Sequence, residues 1–293
     1  MKKVSDRLRS LGFTKSGRIK VWRVAPIDEQ ILQVKNPDIT YDLELLQASQ
    51  RAWEGNKALR LVYKSLFNAM KAECQGEHIL EIGSGIAASR TVFKQLATSD
   101  VVKTPYVDLE MSAYEISPPD VGSGWSDIIA MDVMHHLRTP MRFFASAASA
   151  LEPKGRIVLM EPAASFFGKF FYRWFHHEPI EPNLIVPPFE FPGEGGGYAN
   201  MGMGVGLFDH HRDAVSAMLA GMGLRVRSVS YRDFMAYPLT GGYSRPQLLP
   251  TACVALLLRI ESCLPQKLMA LLGLRMLIVI EKDENVTSSK KMS

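Results

Sequence analysis

A short apolar run that ends in two glycines constrains this chain more than any other stretch. Residues 79–82 (ILEI) are followed by Gly83, Ser84 and Gly85, and an alanine-rich segment continues to about Ala97. This order predicts a buried strand, a tight glycine turn and then a helix over about 87–97. Glycines allow a positive φ and a close approach of the backbone to a ligand, and a helix start presents unpaired N–H groups. The stretch therefore predicts a ligand site at the end of a strand.

The carboxylate of Glu81 is unusual in an otherwise apolar strand. A buried carboxylate is costly unless it meets a donor or a cation, which a bound cofactor could supply. The spacing Glu-x-Gly-x-Gly is not the full dinucleotide fingerprint, because Ala88 stands where the third glycine would fall. The sequence therefore disfavours a nicotinamide-dependent oxidoreductase. This enzyme class stays an alternative, and titration with a nicotinamide cofactor would test it.

Strand-like and helix-like segments alternate along the rest of the chain, which predicts a parallel, doubly wound sheet. Strands are expected at 78–83, 101–107, 127–132, 156–161, 224–231 and 275–281, with a shortened strand within 108–125. Helices are expected at 42–73, 140–151 and 210–222. We predict an α/β, Rossmann-like fold whose sheet has seven mainly parallel strands and helices on both faces.

Two segments are additional to such a minimal fold. The first, 163–209, opens with an aromatic helix at 166–175 and later contains GEGGG at 193–197. The second, 236–274, separates the last two strands and is apolar from Ala252 onwards. We expect the two insertions to form a lid. The predicted division of the chain is a basic arm and helical segment (1–54), a binding core (55–162), the first insertion (163–209), the remainder of the core (210–282) and a polar tail (283–293).

The composition is that of a globular protein, with 47% hydrophobic and 22% charged residues. A net charge of only +4 gives no support for a nucleic-acid partner. The three cysteines have no metal-binding spacing, so we predict a reducing compartment and no metal site. The N-terminus lacks the apolar core of a signal peptide, and no apolar run reaches the ~18 residues of a membrane span. We expect a cytoplasmic protein.

Four pieces of sequence occur in an order that is typical of one superfamily: ILEIGSG (79–85), SDIIAMDVMHHL (126–137), LEPKGRIVLMEP (151–162) and RMLIVIEK (275–282). The chain resembles class I S-adenosylmethionine-dependent methyltransferases of the small-molecule type. The resemblance covers residues 55–165 well and 205–282 loosely. It implies a methyltransferase with S-adenosylmethionine as its cofactor. The alternative is a catalytically silent member of the fold that binds a ligand or a partner, and a loss of cofactor affinity would favour it.

The resemblance also implies the cofactor contacts. The family normally offers the ribose a carboxylate after strand 2, but Lys103 and Thr104 occupy that place. Either Asp108 reaches the ribose from a longer loop, which we favour, or the hydroxyls are bound otherwise. Ser112 and Ala113 match the pair that meets the adenine. The complete implied set, which includes the end of strand 4 at the methionine and sulfonium group, is Glu81, Gly83, Ser84, Gly85, Asp108, Ser112, Ala113, Asp132 and Val133.

Three His-His pairs supply candidates for a catalytic base: 135–136, 176–177 and 210–211. A hydroxyl acceptor needs a base, and histidine is suited to that role near neutral pH. Insertions in the resembled family usually form the acceptor pocket. We therefore predict O-methylation with His177 as the base and Glu178 orienting its imidazole, while His136 is the candidate beside the cofactor.

The aromatic helix at 166–175 also carries Lys169 and Arg173. Aromatic and basic residues together are typical of a membrane interface. With the basic arm, they indicate a lipid-linked or glycan-precursor acceptor reached at the inner face of a membrane. The alternative is a small-molecule acceptor under an intramolecular lid. The elements HHEP (176–179) and YPLTGGYS (237–244) are similar to segments of methyltransferases from bacterial surface-glycan and lipid biosynthesis clusters.

Overall fold

The computed structural model describes residues 42–119, 124–192 and 198–284. The predicted basic arm, the GEGGG run and most of the polar tail therefore lie outside the described residues. Seven strands form one sheet: β1 (Ile79–Ile82), β2 (Ala97–Asp100), β3 (Leu109–Glu110), β4 (Trp125–Met131), β5 (Leu151–Pro162), β6 (Leu224–Arg232) and β7 (Arg275–Lys282). Their order is β3-β2-β1-β4-β5-β7-β6. Strand β7 pairs antiparallel with β5 and β6, and the other pairings are parallel.

Helices cover both faces of this sheet, as predicted. The α-helices longer than three residues are α1 (Leu43–Gly55), α2 (Lys57–Lys71), α3 (Pro140–Ala150), α4 (Phe166–Phe175), α5 (Arg212–Gly221), α6 (Ala236–Thr240), α7 (Thr251–Ser262) and α8 (Gln266–Leu272). Neighbouring residues of one strand point to opposite faces: Ile128 packs in the cluster that contains α3 and α5. Ile129 packs in the cluster that contains α2. Burial on both faces explains why the central strands are apolar without alternation.

Two of the predicted helices differ from the structure. The single helix expected at 42–73 is interrupted at Asn56, whose extended backbone ends α1 and whose side chain accepts a hydrogen bond from the Leu59 N–H at 2.9 Å to begin α2. The helix expected at 87–97 is wrong. Only the 3-10 helix Ala88–Thr91 forms there. The turn after β1 extends to Ala87, which has a positive φ, and β2 already begins at Ala97. Too few residues remain for a regular helix.

The two insertions pack on the core and on each other. In the first, α4 is followed by the 3-10 helix Pro182–Leu184 and by a turn, Met203–Val205, that continues as the π-helix Gly206–His210. In the second, α7 packs on α2 and α6, while α8 packs on β6 and on α4 of the first insertion. Helices α7 and α8 are separated where Pro265 stands. Closure of these segments as a lid stays a prediction.

Candidate functional site

The glycine loop after β1 lies at the carboxyl edge of the parallel strands, where ligands bind in doubly wound sheets. Gly83 and Gly85 have φ values of +66° and +52°. A Cβ atom on Gly83 would lie 2.5 Å from Cγ2 of Val133, because the ends of β1 and β4 meet there. Among the described residues, a Cβ atom on Gly85 would meet only Cδ1 of Leu46, at 3.8 Å. Gly83 is therefore required by packing, whereas the described part of the chain leaves space beside Gly85 next to α1.

Asp100 ends β2 beside this loop. It is 7% exposed, its Oδ2 accepts a hydrogen bond from the Gly85 N–H at 3.0 Å, and its Oδ1 accepts one from the Val101 N–H at 2.8 Å. Sequence reasoning missed Asp100 because it placed strand 2 at 101–107. The sequence did contain an indication of this role. Ribose-binding carboxylates follow the glycine loop by ~20 residues, and Asp100 lies close to that spacing.

The carboxylate predicted for the ribose, Asp108, is engaged elsewhere. Its Oδ2 accepts hydrogen bonds from the Thr98 N–H and hydroxyl, both at 3.0 Å. The same oxygen pairs with Arg90 at 2.6 Å. These contacts hold the residue that precedes β3 against β2 and Arg90. The structure therefore corrects the assignment, because Asp100 and not Asp108 lies against the glycine loop.

Glu81 and Ser84 shape the loop from within. The Ser89 hydroxyl donates to Oε2 of Glu81 at 2.6 Å, so the carboxylate has an internal donor and does not depend on a cofactor for one. Burial nevertheless raises the pKa of Glu81 to about 7, against the hydrogen bond from Ser89. Oγ of Ser84 accepts from the Ser99 N–H at 3.1 Å and so links the loop to β2.

Ser112 and Ala113 follow β3 close to the end of β2. The Met111 N–H donates to the carbonyl oxygen of Asp100 at 2.8 Å, which fixes this segment beside the carboxylate. Ala113 is buried in the core, and Ser112 is partly exposed with its Oγ accepting from the Tyr114 N–H at 3.2 Å. The structure thus brings the predicted adenine pair next to Asp100.

A buried charge cluster occupies the edge of the sheet beyond β4. Asp132, which has a positive φ of 57°, pairs with Arg275 at the start of β7. The Arg275 guanidinium lies 5.5 and 5.3 Å from the ring centroids of Tyr63 and Tyr237. Its Nε is 3.7 Å from Oδ2 of Asp233, and burial raises the pKa of Asp233 to about 7 although Arg275 opposes the rise. The predicted contact Asp132 is therefore already paired inside the protein.

The first histidine pair follows β4 and rests on a buried carboxylate. His135 is 3% exposed, and its Nδ1 lies 2.7 Å from Oε2 of Glu161 at the end of β5. Oε1 of Glu161 accepts from the N–H groups of Val133 and Met134, at 3.0 and 2.7 Å. Sequence reasoning gave Glu161 no role. Like Glu81, Glu161 is a single acidic residue in an apolar strand, and this feature indicates a buried carboxylate with a specific partner.

Glu178, from the first insertion, lies near both the first and the second histidine pair, and the shortest contact of its carboxylate is with His135. Its Oε2 is 3.5 Å from Nε2 of His135, and its Oε1 is 3.9 Å from Nε2 of His136. The side chain of His177 is 83% exposed, with its Nε2 also 3.9 Å from Oε1 of Glu178. Ile180 is buried, whereas the side chain of His177 lies at the surface. The role of His177 as a base oriented by Glu178 stays a prediction, with the imidazole at the protein surface.

Strong electrostatic coupling joins these side chains. Burial lowers the pKa of His135, but the charges of Glu161 and Glu178 outweigh it and raise the pKa to about 10. Burial raises the pKa of Glu178, but His135 and His136 outweigh it and lower the pKa to about 2. Burial, with the charge of His135, lowers the pKa of His136. The imidazoles of His135 and His136 and the carboxylates of Glu161 and Glu178 thus form one coupled group. This group follows Val133, whose side chain lies against Gly83 of the glycine loop.

An open basin of about 970 Å³ lies at the opposite edge of the sheet, where β5 begins and β7 ends. Its arginines Arg156, Arg225 and Arg227 all pair with Glu281. The arginines of the basin are therefore engaged by Glu281, and the basin lies away from the glycine loop.

Comparison with protein-family models and with curated proteins finds no match. Solved structures are similar in fold. One is an S-adenosylmethionine-dependent methyltransferase from Archaeoglobus fulgidus, with a TM-score of 0.44 and 13% identity over 76% of this chain and 94% of that chain. Another is magnesium protoporphyrin IX methyltransferase from Synechocystis with bound SAH, with a TM-score of 0.41 and 11% identity over 81% and 94%. At these values the similarity does not extend to function.

Proposed function

We propose that this protein is an S-adenosylmethionine-dependent methyltransferase that acts on a small-molecule acceptor. The observation that carries the proposal is the hydrogen bond between Asp100 and Gly85, which sets a carboxylate against a glycine loop at the carboxyl edge of the sheet. A carboxylate can accept several hydrogen bonds at once, which suits the two hydroxyls of a ribose. Within the described ranges only Leu46 approaches Gly85, which leaves room for a nucleoside there.

The local backbone favours this cofactor over a dinucleotide. A dinucleotide pyrophosphate is bound at a helix N-terminus. Between Gly85 and β2 the described chain offers only the four-residue 3-10 helix Ala88–Thr91. A nucleoside without phosphates does not need such a terminus. The cofactor residues we propose are Gly83, Gly85, Asp100, Ser112, Ala113 and Val133, with Glu81 and Ser84 supporting the loop. Bound S-adenosylmethionine would supply an electrophilic methyl group.

On the acceptor side we propose that Glu178 and His136 contact a hydroxyl of the acceptor, in place of His177. The side chain of His136 is 45% exposed, and that of Glu178 is 17% exposed, so both are accessible from the side of the first insertion. The His136 N–H also donates to the carbonyl oxygen of Val133 at 3.0 Å, and the side chain of Val133 lies against Gly83. This arrangement supports transfer to oxygen.

Ligand titration tests the cofactor proposal. We expect S-adenosylmethionine and its demethylated product to raise the melting temperature of the wild-type protein, because a ligand that binds only the folded state stabilises it. NAD serves as the matched control and should produce no shift. Absence of a shift at millimolar S-adenosylmethionine would refute the proposal. Binding without turnover of any acceptor would favour the catalytically silent alternative.

We further propose that the acceptor is lipid-linked and is reached at an anionic membrane surface. The support is an aromatic patch on α4, formed by Phe166, Phe170, Trp174 and Phe175, whose members are 81%, 57%, 70% and 47% exposed. Phe167 and Phe171 turn inward instead and pack on the core. Helical spacing predicts one shared face for Phe167, Phe170, Phe171, Trp174 and Phe175, so the structure divides this set between two faces. Helix α8 extends the patch with the exposed Leu268 and Leu271.

Basic side chains surround the aromatic patch. Lys169 and Arg173 are exposed on α4 itself, Lys267 is exposed on α8, and Arg245 lies 5.8 Å from the ring centroid of Phe175. Aromatic rings prefer the bilayer interface, and each nearby Lys or Arg adds about 1 kcal/mol of attraction to anionic lipid. No helix in the described ranges is long and apolar enough to cross a bilayer. Contact would therefore be peripheral.

Flotation with liposomes tests the membrane proposal. We expect the protein to float with vesicles that contain phosphatidylserine and to float less with neutral phosphatidylcholine vesicles or at high salt, because salt screens the basic side chains. Failure to float with either kind of vesicle would support the small-molecule acceptor under an intramolecular lid.

A further inference from the structure

Three side chains from two distant parts of the sequence meet beside the end of β4. His135, His136 and Glu178, here called the His-Glu cluster, offer ligand atoms that all lie within 4.8 Å of one another. The separations of 3.5 and 3.9 Å between Glu178 oxygens and the two Nε2 atoms are longer than hydrogen bonds. They suit atoms placed around one ion at bond lengths of about 2.0–2.2 Å.

The carboxylate behind His135 is a second, independent observation. Metal-binding histidines almost always donate their other ring N–H to a carboxylate or carbonyl, which fixes the tautomer and the ring orientation. Nδ1 of His135 lies 2.7 Å from Oε2 of Glu161, so Nε2 is the atom that faces Glu178. Glu161 is itself held by the backbone N–H groups of Val133 and Met134. His135 is therefore pre-oriented toward the cluster.

We propose that His135, His136 and Glu178 bind one divalent transition-metal ion of the zinc type, with Glu161 orienting His135. Two imidazoles and one carboxylate form the ligand set of catalytic zinc sites, which keep a fourth position open. The half-exposed side of His136 gives that position access from outside. Sequence analysis predicted no metal site because the ligand from the insertion has no recognisable spacing to the histidine pair.

The catalytic role of the ion rests on the proposed function, whereas its binding does not. An ion in the His-Glu cluster would hold an acceptor oxygen near Val133 and, as a Lewis acid, would lower the pKa of that hydroxyl. A hydroxyl activated in this way needs no histidine base from the surface.

Metal titration tests the site with a readout that does not depend on activity. Protein freed of metal with a chelator is titrated with Co²⁺ and then Zn²⁺, followed by visible absorption and by calorimetry. We expect about one equivalent to bind with the intense absorption of tetrahedral Co²⁺. His136→Ala and Glu178→Gln should each weaken binding by more than about tenfold. His177→Ala is the matched control and should bind like the wild type, with circular dichroism confirming that every variant is folded.

Three results would overturn the metal proposal: no binding by the wild type, equal binding by His136→Ala, or a loss of binding in His177→Ala. The first would mean that protonated His135 joins Glu161 and Glu178 in a closed ion network. Affinity for S-adenosylmethionine, measured on the same samples, separates the two proposals. Intact cofactor binding without metal binding refutes only the metal site, and metal binding without cofactor binding refutes only the methyltransferase.

Discussion

Oδ2 of Asp100 accepts a hydrogen bond from the backbone N–H of Gly85 at 3.0 Å, and this contact joins the end of β2 to the glycine loop after β1. Asp100 is 7% exposed, so its charge is held at the loop and not in bulk water. The contact supports the glycine loop and brings a carboxylate to the place where a nucleoside ribose would lie.

Replacement of Asp100 by Asn should weaken cofactor binding. Asn keeps the size of the side chain and an oxygen for the Gly85 N–H but removes the negative charge. Hydrogen bonds to charged groups contribute about 1.5–3 kcal/mol, so affinity for S-adenosylmethionine should fall roughly tenfold to a hundredfold by calorimetry. Asp108→Asn is the matched control, because Asp108 is held by Thr98 and Arg90. Equal losses in both variants would show that the carboxylates act only through stability.

The two glycines of the loop should differ in their tolerance of a side chain. Both have positive φ, which costs a non-glycine residue about 1–2 kcal/mol. Gly83→Ala adds a Cβ atom 2.5 Å from Val133, and such overpacking costs a further ~1–3 kcal/mol. Urea denaturation should therefore show Gly83→Ala to be less stable than Gly85→Ala. The double variant Gly83→Ala/Val133→Ala should recover part of the difference, and no recovery would count against the contact.

The free energy of unfolding should depend on pH in a way that reflects ionisation of the Glu81 carboxyl group. Its pKa is about 7 in the folded protein, mainly because of burial, against 4.5 as the ordinary value. The folded state keeps the proton while the unfolded state loses it. The free energy of unfolding should therefore fall as the pH rises from about 4.5 to about 7, by up to ~3 kcal/mol from this group.

Glu81→Gln isolates that contribution. The amide oxygen can still accept from the Ser89 hydroxyl, but the side chain no longer ionises. The variant should be more stable than the wild type at pH 8 and should match it near pH 4, as measured by urea denaturation across this range. A constant difference between the two proteins at all pH values would contradict the raised pKa.

The aromatic patch should control attachment to anionic vesicles. Burying one large apolar side chain contributes about 1.5–3 kcal/mol, so Phe170→Ser/Trp174→Ser should lower vesicle binding by at least about tenfold. Leu109→Ser is the control, because Leu109 is exposed on β3, the edge strand farthest from β6 and α8. Cofactor affinity should be unchanged in both variants. Equal flotation of both variants would assign binding to surfaces other than α4.

The sequence by itself determined the position of the glycine loop and of every strand except β2, which was expected at 101–107 and lies at Ala97–Asp100. Residues 79–85 and the apolar runs at 127–132 and 275–281 form the predicted strands, because hydrophobic patterning and glycine conformation act over a few neighbouring residues. The same local signals correctly indicated the aromatic helix α4. They did not give the sheet position of β7, which depends on pairing between distant strands.

Only the tertiary structure decided which polar side chains meet. Asp100 replaces Asp108 at the glycine loop because β2 begins four residues earlier than the pattern suggested. Glu178 comes within 3.5 Å of His135 and 3.9 Å of His136, although these histidines lie far earlier in the sequence. Contacts between residues far apart in the chain are set by packing of the whole core, whereas sequence patterns report the conformation of a few adjacent residues.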